Sequence, residues 1–172
     1  MNQVRVADNF LSRTDYNELR QILFSENFPW FFSEETVRGA KDHPQFAHVL
    51  YANNRPVSQC IEAFEPFLST LYASSIIRMK VNMTMPSSKE GIVYAWHHDL
   101  GWDGDPQRKR TQHVRTAVFY FNDTNGPTVF KGGEPVDCRQ NRLVSFPHNT
   151  EHSGTTFTDD TRRVVLNVNY LP

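Results

Sequence analysis

Beyond Ser75 the sequence breaks into short runs rich in Val, Ile, Phe and Tyr, each closed by turn residues, and this rhythm restricts the fold more than any other feature. The runs are Ile76 to Met85, Val93 to Asp99, Thr116 to Asn122, Thr128 to Phe130, Arg142 to Phe146 and Arg163 to Tyr170. Their β-branched and aromatic content is that of strands. Pro86-Ser87-Ser88, Gly101 to Pro106, Asp123 to Pro127, Gly132-Gly133 and Pro147-His148-Asn149 separate them, in the punctuation that ends a strand and turns the chain. Many evenly spaced strands that follow a helical start predict a β-sandwich or jelly roll with helices packed on one sheet.

The helical start is read from capping and periodicity. Ser12 is placed as an N-cap with Asp15 at the third helical position, and Tyr16, Leu19 and Ile22 follow at helical spacing to about Phe24. Leu11 and Tyr16 stand where a hydrophobic staple would join them. The block Asn27-Phe28-Pro29-Trp30-Phe31-Phe32 breaks that helix and reads as an aromatic plug for the core. A second helix is expected from Ser58 to about Tyr72, with Ile61, Phe64, Leu68 and Leu71 on one face and Pro66 kinking or delaying it. The 172 residues suit one domain, with residues 1–75 as mostly helical support and 76–172 as the β core.

Composition narrows the function. Apolar residues make up 38% of the chain and thirteen are Phe, a globular rather than a disordered composition. Eighteen basic residues against nineteen acidic ones give a net charge of -1, which argues against a nucleic-acid partner. The start Met1-Asn2-Gln3-Val4-Arg5 has no apolar leader, and no run approaches the roughly 20 apolar residues that span a bilayer. A cytoplasmic protein with no membrane partner is expected. Cys60 and Cys138 have neither disulfide-scaffold nor zinc-site spacing and are read as buried small residues.

The segment Tyr94-Ala95-Trp96-His97-His98-Asp99-Leu100 contains His-x-Asp. On a strand, side chains two apart share a face, so His97 and Asp99 are expected to converge on one ion while His98 points away. A second His from elsewhere would complete a facial triad with open positions, and the candidates are His148 and His152. Trp96, opposite His97, is expected in the core.

From about Arg78 to Tyr170 the chain resembles the Fe(II)- and 2-oxoglutarate-dependent oxygenases, in particular the prolyl-hydroxylase-like branch and its small phage and bacterial members. His97-His98-Asp99 resembles the family's His-x-Asp. Arg115-Thr116-Ala117-Val118-Phe119-Tyr120-Phe121-Asn122 is similar to its Arg-x-x-Thr…Tyr-Leu-Asn strand. Asn125-Gly126-Pro127-Thr128-Val129-Phe130 is similar to its Gly-Gly-x-Thr-x-Phe turn, departing at Asn125 and Pro127. Asn141-Arg142-Leu143-Val144-Ser145-Phe146 resembles the strand before the distal His, which aligns His152, in Glu151-His152-Ser153-Gly154, with that ligand; His148, in the turn after Pro147, is read as a loop residue. The resemblance implies a double-stranded β-helix fold, Fe(II) as metal, 2-oxoglutarate and O2 as co-substrates, and hydroxylation coupled to release of succinate.

Such a site must also hold the distal carboxylate of 2-oxoglutarate, a task suited to a planar guanidinium. Arg162 shares a strand face with Val164, Leu166, Val168 and Tyr170, which should pack on helices, whereas Arg163 shares the other with Val165, Asn167 and Asn169. Arg163 is therefore the expected anchor, in keeping with the family pattern, with Asn167 and Asn169 on its polar face. Tyr120 matches the family's co-substrate Tyr. Arg78, Lys80, Asn82 and Thr84 alternate with Met79, Val81, Met83 and Met85, and Asn82 and Thr84 are expected to line the inner pocket. Trp102 and the loop Asp103 to Arg110, with its Arg108-Lys109-Arg110, follow the metal segment and should lie near the mouth, the loop as a solvated one.

The primary substrate stays open among peptidyl proline, favoured by the resemblance, free amino acids, other small metabolites and nucleobases. The alternatives from other classes are a non-catalytic, cupin-like module that binds a metal or ligand, and a β-sandwich without metal.

Overall fold

A computed structural model describes residues 4–37, 39–40, 43–100 and 113–172. In chain order the elements are β1 (Arg5–Asp8), α1 (Arg13–Leu23), β2 (Phe31–Ser33), β3 (Gln45–Ala52), β4 (Arg55–Pro56), a 3-10 helix (Gln59–Phe64), α2 (Glu65–Leu71), β5 (Ser75–Thr84), β6 (Arg115–Tyr120), β7 (Thr124–Phe130), β8 (Val136–Cys138), β9 (Arg142–Pro147), β10 (His152–Gly154) and β11 (Arg163–Leu171). They form a jelly roll of two sheets. The larger runs β1-β9-β6-β11-β5-β3-β2 with β4 paired to β3, and the smaller runs β10-β7-β8.

Alternation along the central strands sorts the side chains into two layers. Val164, Leu166, Val168 and Tyr170 of β11 join Met79 and Val81 of β5 and Ala117 and Phe119 of β6 on the outer face. There they pack against Leu11, Tyr16, Leu19 and Leu23 of the α1 region and Phe64 and Phe67 of the second helical segment. Burial of each such large apolar side chain is worth about 1.5–3 kcal/mol. The opposite face turns inward, where Val118, Tyr120, Val144, Phe146 and Val165 meet Phe130 and Cys138 of the smaller sheet. The expected helices on one sheet are thus present, and the other face of that sheet is left for a site.

Helix α1 begins as its sequence dictates. Ser12 Oγ accepts from the Asp15 backbone N–H at 3.1 Å and donates to Asp15 Oδ2 at 2.7 Å, a side-chain N-cap held in place by the Asp15 carboxylate. Its buried stripe is Tyr16, Leu19 and Leu23, while Ile22 faces solvent. Pro66 divides the second helical segment: the 3-10 helix capped by Ser58 ends at Phe64, and Pro66 occupies the first turn of α2, where its missing N–H is harmless.

Several expectations are corrected. Residues 93–99 are not a strand; their backbone pairs through two isolated bridges, Val93 with Thr155 and His97 with His152. The turn expected at Asp123 to Pro127 lies largely inside β7, whose pairing with β8 shifts register between Thr124 and Thr128. Gly126 permits this passage, since a Cβ there would stand 3.0 Å from both Phe157 Cβ and Thr155 O. Residues 1–75 are more than helical support, for β1 to β4 extend the main sheet. In the aromatic plug Phe28 is buried, but Phe31 and Phe32 are 62% and 63% exposed on the edge strand β2. Trp96 is 41% exposed rather than core. Cys138 is buried and Cys60 half-buried, both unpaired. Trp102, the loop Asp103 to Arg110 and the turn Gly101 to Pro106 lie outside the described residues.

Candidate active site

His97 and His152 lie side by side at the edge of the smaller sheet as mutual backbone partners. His97 N–H donates to His152 O at 3.1 Å and His152 N–H returns the bond to His97 O at 3.1 Å. The ring centroids are 4.5 Å apart. Each ring also faces the carbonyl two residues upstream, His97 Nδ1 lying 3.1 Å from Ala95 O and His152 Nδ1 3.0 Å from Thr150 O. A carbonyl only accepts, so both hydrogens sit on Nδ1 and both Nε2 lone pairs are left for a metal. These orienting partners could not be read from sequence.

Both Nε2 atoms point at one carboxylate, 3.7 Å from His97 and 3.8 Å from His152 to Asp99 Oδ1. Asp99 lies where the chain leaves the bridge and enters a turn, so the bridge, not strand parity, aims it alongside His97. Its carboxylate is held from below: Asn167 Nδ2 donates to Oδ1 and Oδ2 at 3.1 and 3.2 Å, and Asn169 Nδ2 donates to Oδ2 at 3.2 Å and to Thr116 Oγ1 at 3.0 Å. The amides of Asn167 and Asn169, expected beside the co-substrate, are thus spent on Asp99. Burial pushes the Asp99 carboxyl upward, yet the His97 contact and the charges of His152, His97 and Arg78 outweigh it and hold the group below the usual carboxylate range. Burial also opposes protonation of both rings; contact with Asp99 overturns this at His97, which is shifted up, but not at His152, which is shifted down.

Among the described residues, His97, Asp99 and His152 form a cluster whose candidate ligand atoms lie within 4.8 Å of one another. Two imidazoles and one carboxylate with an open side is the donor set of non-haem Fe(II) oxygenases. His148 is buried in the turn after β9 and outside this cluster. His98, expected to point away, borders the same cavity.

That cavity, about 850 Å³, runs along the inner face of β5 and β11. At one end is Arg163, buried, its Nη2 donating to Thr128 Oγ1 at 3.2 Å and its Cζ 5.6 Å from the Tyr120 ring centroid. Tyr120 stands one step behind the wall. Its hydroxyl, shifted up by burial despite Arg163, donates to Thr128 Oγ1 at 2.8 Å, so it braces the residue that braces Arg163. Gly154 leaves the room this packing needs, since a Cβ there would lie 3.3 Å from the Tyr94 ring and 3.4 Å from Arg163 Nη1. Arg163 Nε, Thr84 Oγ1 and Asn82 Oδ1 are buried without a hydrogen-bond partner among the described residues. Buried polar groups are nearly always paired, so this end of the cavity fits a polar ligand, and an unspent guanidinium N–H fits a carboxylate. Thr128, Gly154 and Tyr94 were not singled out from sequence; the alternation of β7 could have marked Thr128, whereas Tyr94 and Gly154 carry no local signal.

No known family profile matches this sequence, and no curated protein is similar to it in sequence. Solved structures do share the fold. A prolyl hydroxylase in complex with a hypoxia inducible factor oxygen degradation domain peptide fragment, from Trichoplax adhaerens, superposes with a TM-score of 0.68 at 16% identity, covering 99% of this chain and 84% of the other. A Pseudomonas putida prolyl-4-hydroxylase gives 0.59 at 13% identity, covering 99% and 93%. A non-haem alpha-ketoglutarate-dependent epimerase from nogalamycin biosynthesis gives 0.64 at 13% identity, covering 99% and 76%. At these identities the likeness establishes the architecture.

Proposed function

We propose that this chain is an Fe(II)- and 2-oxoglutarate-dependent oxygenase in which His97, Asp99 and His152 hold the metal and Arg163 anchors the distal carboxylate of 2-oxoglutarate. The observation that carries this reading is the pairing, in one cavity, of a two-His, one-carboxylate cluster with a buried Arg163 whose Nε has no partner among the described residues. Bound at this cluster, Fe(II) with 2-oxoglutarate and O2 supplies the oxidising power to functionalise an unreactive C–H bond, with succinate and CO2 as the other products.

The protein's own part is positioning. The Nδ1 bonds to Ala95 O and Thr150 O fix both rings with Nε2 inward, and Asn167 and Asn169 fix the Asp99 carboxylate. Thr128, braced by Tyr120, sets the direction of the Arg163 fork. Thr84 Oγ1 adds a hydroxyl to the same end. Hydroxylation is the reaction favoured, because two of the fold relatives are prolyl hydroxylases, one of them with a peptide. The epimerase on the same fold shows that architecture alone does not choose the substrate. No described helix is long and apolar enough to cross a membrane, and a reducing, cytoplasmic setting suits the unpaired Cys60 and Cys138.

Anaerobic titration with Fe(II) and 2-oxoglutarate tests the assignment. A weak visible charge-transfer band is expected in the wild type and absent in His152→Ala; a wild type without the band would sink the proposal. Succinate release separates an oxygenase from a binding module of the same fold, which would not consume 2-oxoglutarate.

A further inference from the structure

The inner face of β5 carries Thr84, Asn82, Lys80 and Arg78, and their partners on β11 divide them into two pairs. Thr84 and Asn82 stand opposite Arg163 and Val165, whereas Lys80 and Arg78 stand opposite Asn167 and Asn169, the amides that hold Asp99. Along β11, Asn167 is four residues and Asn169 six residues from Arg163, roughly 13 and 20 Å of strand. A short dicarboxylate anchored on Arg163 is used up in reaching the metal cluster, and does not extend to the Arg78 rung.

Arg78 and Lys80 nevertheless border the cavity, both half-buried, and form no hydrogen bond or ion pair among the described residues. The described lining carries three cations, Arg78, Lys80 and Arg163, against the single carboxylate of Asp99. A bound dication and a 2-oxoglutarate dianion cancel each other, so this excess of positive charge persists in the loaded site. Burying unpaired charge is costly.

We propose that Arg78 and Lys80 form an oxyanion subsite for the primary substrate, which is a small molecule carrying a carboxylate or a phosphate group. Identifying that molecule as the substrate rests on the oxygenase reading; the subsite itself does not. The Arg78 fork suits bidentate pairing with either oxyanion, and the Lys80 ammonium adds a point charge beside it. Their place on the inner sheet face, on the rungs of Asn169 and Asn167, would hold the anion on the side of Asp99 away from Arg163, leaving the rest of the molecule over the metal cluster.

Acetate and inorganic phosphate are the probes, titrated by calorimetry into protein saturated with Mn(II) and 2-oxoglutarate. Saturable binding at one site with about millimolar affinity is expected, with preference between the probes telling carboxylate from phosphate. Arg78→Gln and Lys80→Met, made separately, should each weaken it by roughly tenfold, the worth of one charge-assisted hydrogen bond, while 2-oxoglutarate affinity changes by less than about twofold. Absence of saturable binding of either anion to the wild type overturns the proposal. So does a tenfold loss of 2-oxoglutarate affinity in the variants, which would assign the pair to the co-substrate, or succinate release stimulated by peptides and by no small acid. Failure of the oxygenase reading shows separately, as a missing charge-transfer band, and the same titration of the metal-free protein then still reads the subsite.

Discussion

Asn169 gives its two amide hydrogens to Asp99 and to Thr116, and so ties a candidate metal ligand to the centre of the main sheet. Removing such a partner usually costs 10–100-fold in metal affinity. Asn169→Ala should weaken Mn(II) binding by about that factor, measured by paramagnetic resonance titration, with the circular dichroism spectrum unchanged. At the other end of the cavity, Arg163→Ala should weaken 2-oxoglutarate binding by roughly 100-fold, the loss of charge-assisted bonds worth about 1.5–3 kcal/mol each. Arg162→Ala, whose guanidinium lies over the Phe24 ring at 5.2 Å on the outer side, should change it less than about twofold; equilibrium dialysis would show the contrast. Which of these arginines faces the cavity was legible because alternation along β11 sorts its side chains. The duty of Asn167 and Asn169 was not, because the carboxylate they hold is 68 and 70 residues away in sequence.

Whole elements were legible where one periodicity ruled them. Helix α1 and strands β5, β6, β9 and β11 declare themselves in cap residues and alternation. Strand β3 did not, because its outward face places His48 between Phe46 and Leu50, and a polar residue there breaks the pattern. His48 is tolerated since its ring nitrogens meet Pro29 O at 2.6 Å and Ser58 Oγ at 2.7 Å, bonds no local reading supplies. The segment 93–99 misled in the opposite sense: its alternation is strand-like, but its backbone pairs at isolated bridges and forms no continuous ladder. The docking of α1 has its own signature. Tyr16 donates its hydroxyl hydrogen to Phe121 O at 2.8 Å, and burial pushes its ionisation up to about 12, against the pull of Arg20. A raised folded value means this contribution is complete below the unfolded value of about 10 and is lost as the pH rises from there through 12. Tyr16→Phe should cost about 1 kcal/mol at neutral pH and flatten the loss of stability over that alkaline window, as followed by urea denaturation.

At the scale of the molecule, two layers with helices outside could be foreseen from the rhythm of short strands; the number of strands could not, since β2, β4, β8 and β10 are only two or three residues long. A ligand that binds only the folded chain raises its melting temperature by mass action. Mn(II) with 2-oxoglutarate at about 100 times the dissociation constant should add about 2.7 kcal/mol, a rise of roughly 5–10 °C for a chain of this size. The same scan on His152→Ala should show little of it. The paired backbone bonds between His97 and His152 carry one more implication. Because main chain and not metal sets the distance between the two rings, a cation meets a finished socket: removing it with a chelator and restoring it should be reversible within a native structure, and one divalent ion should replace another without any refolding.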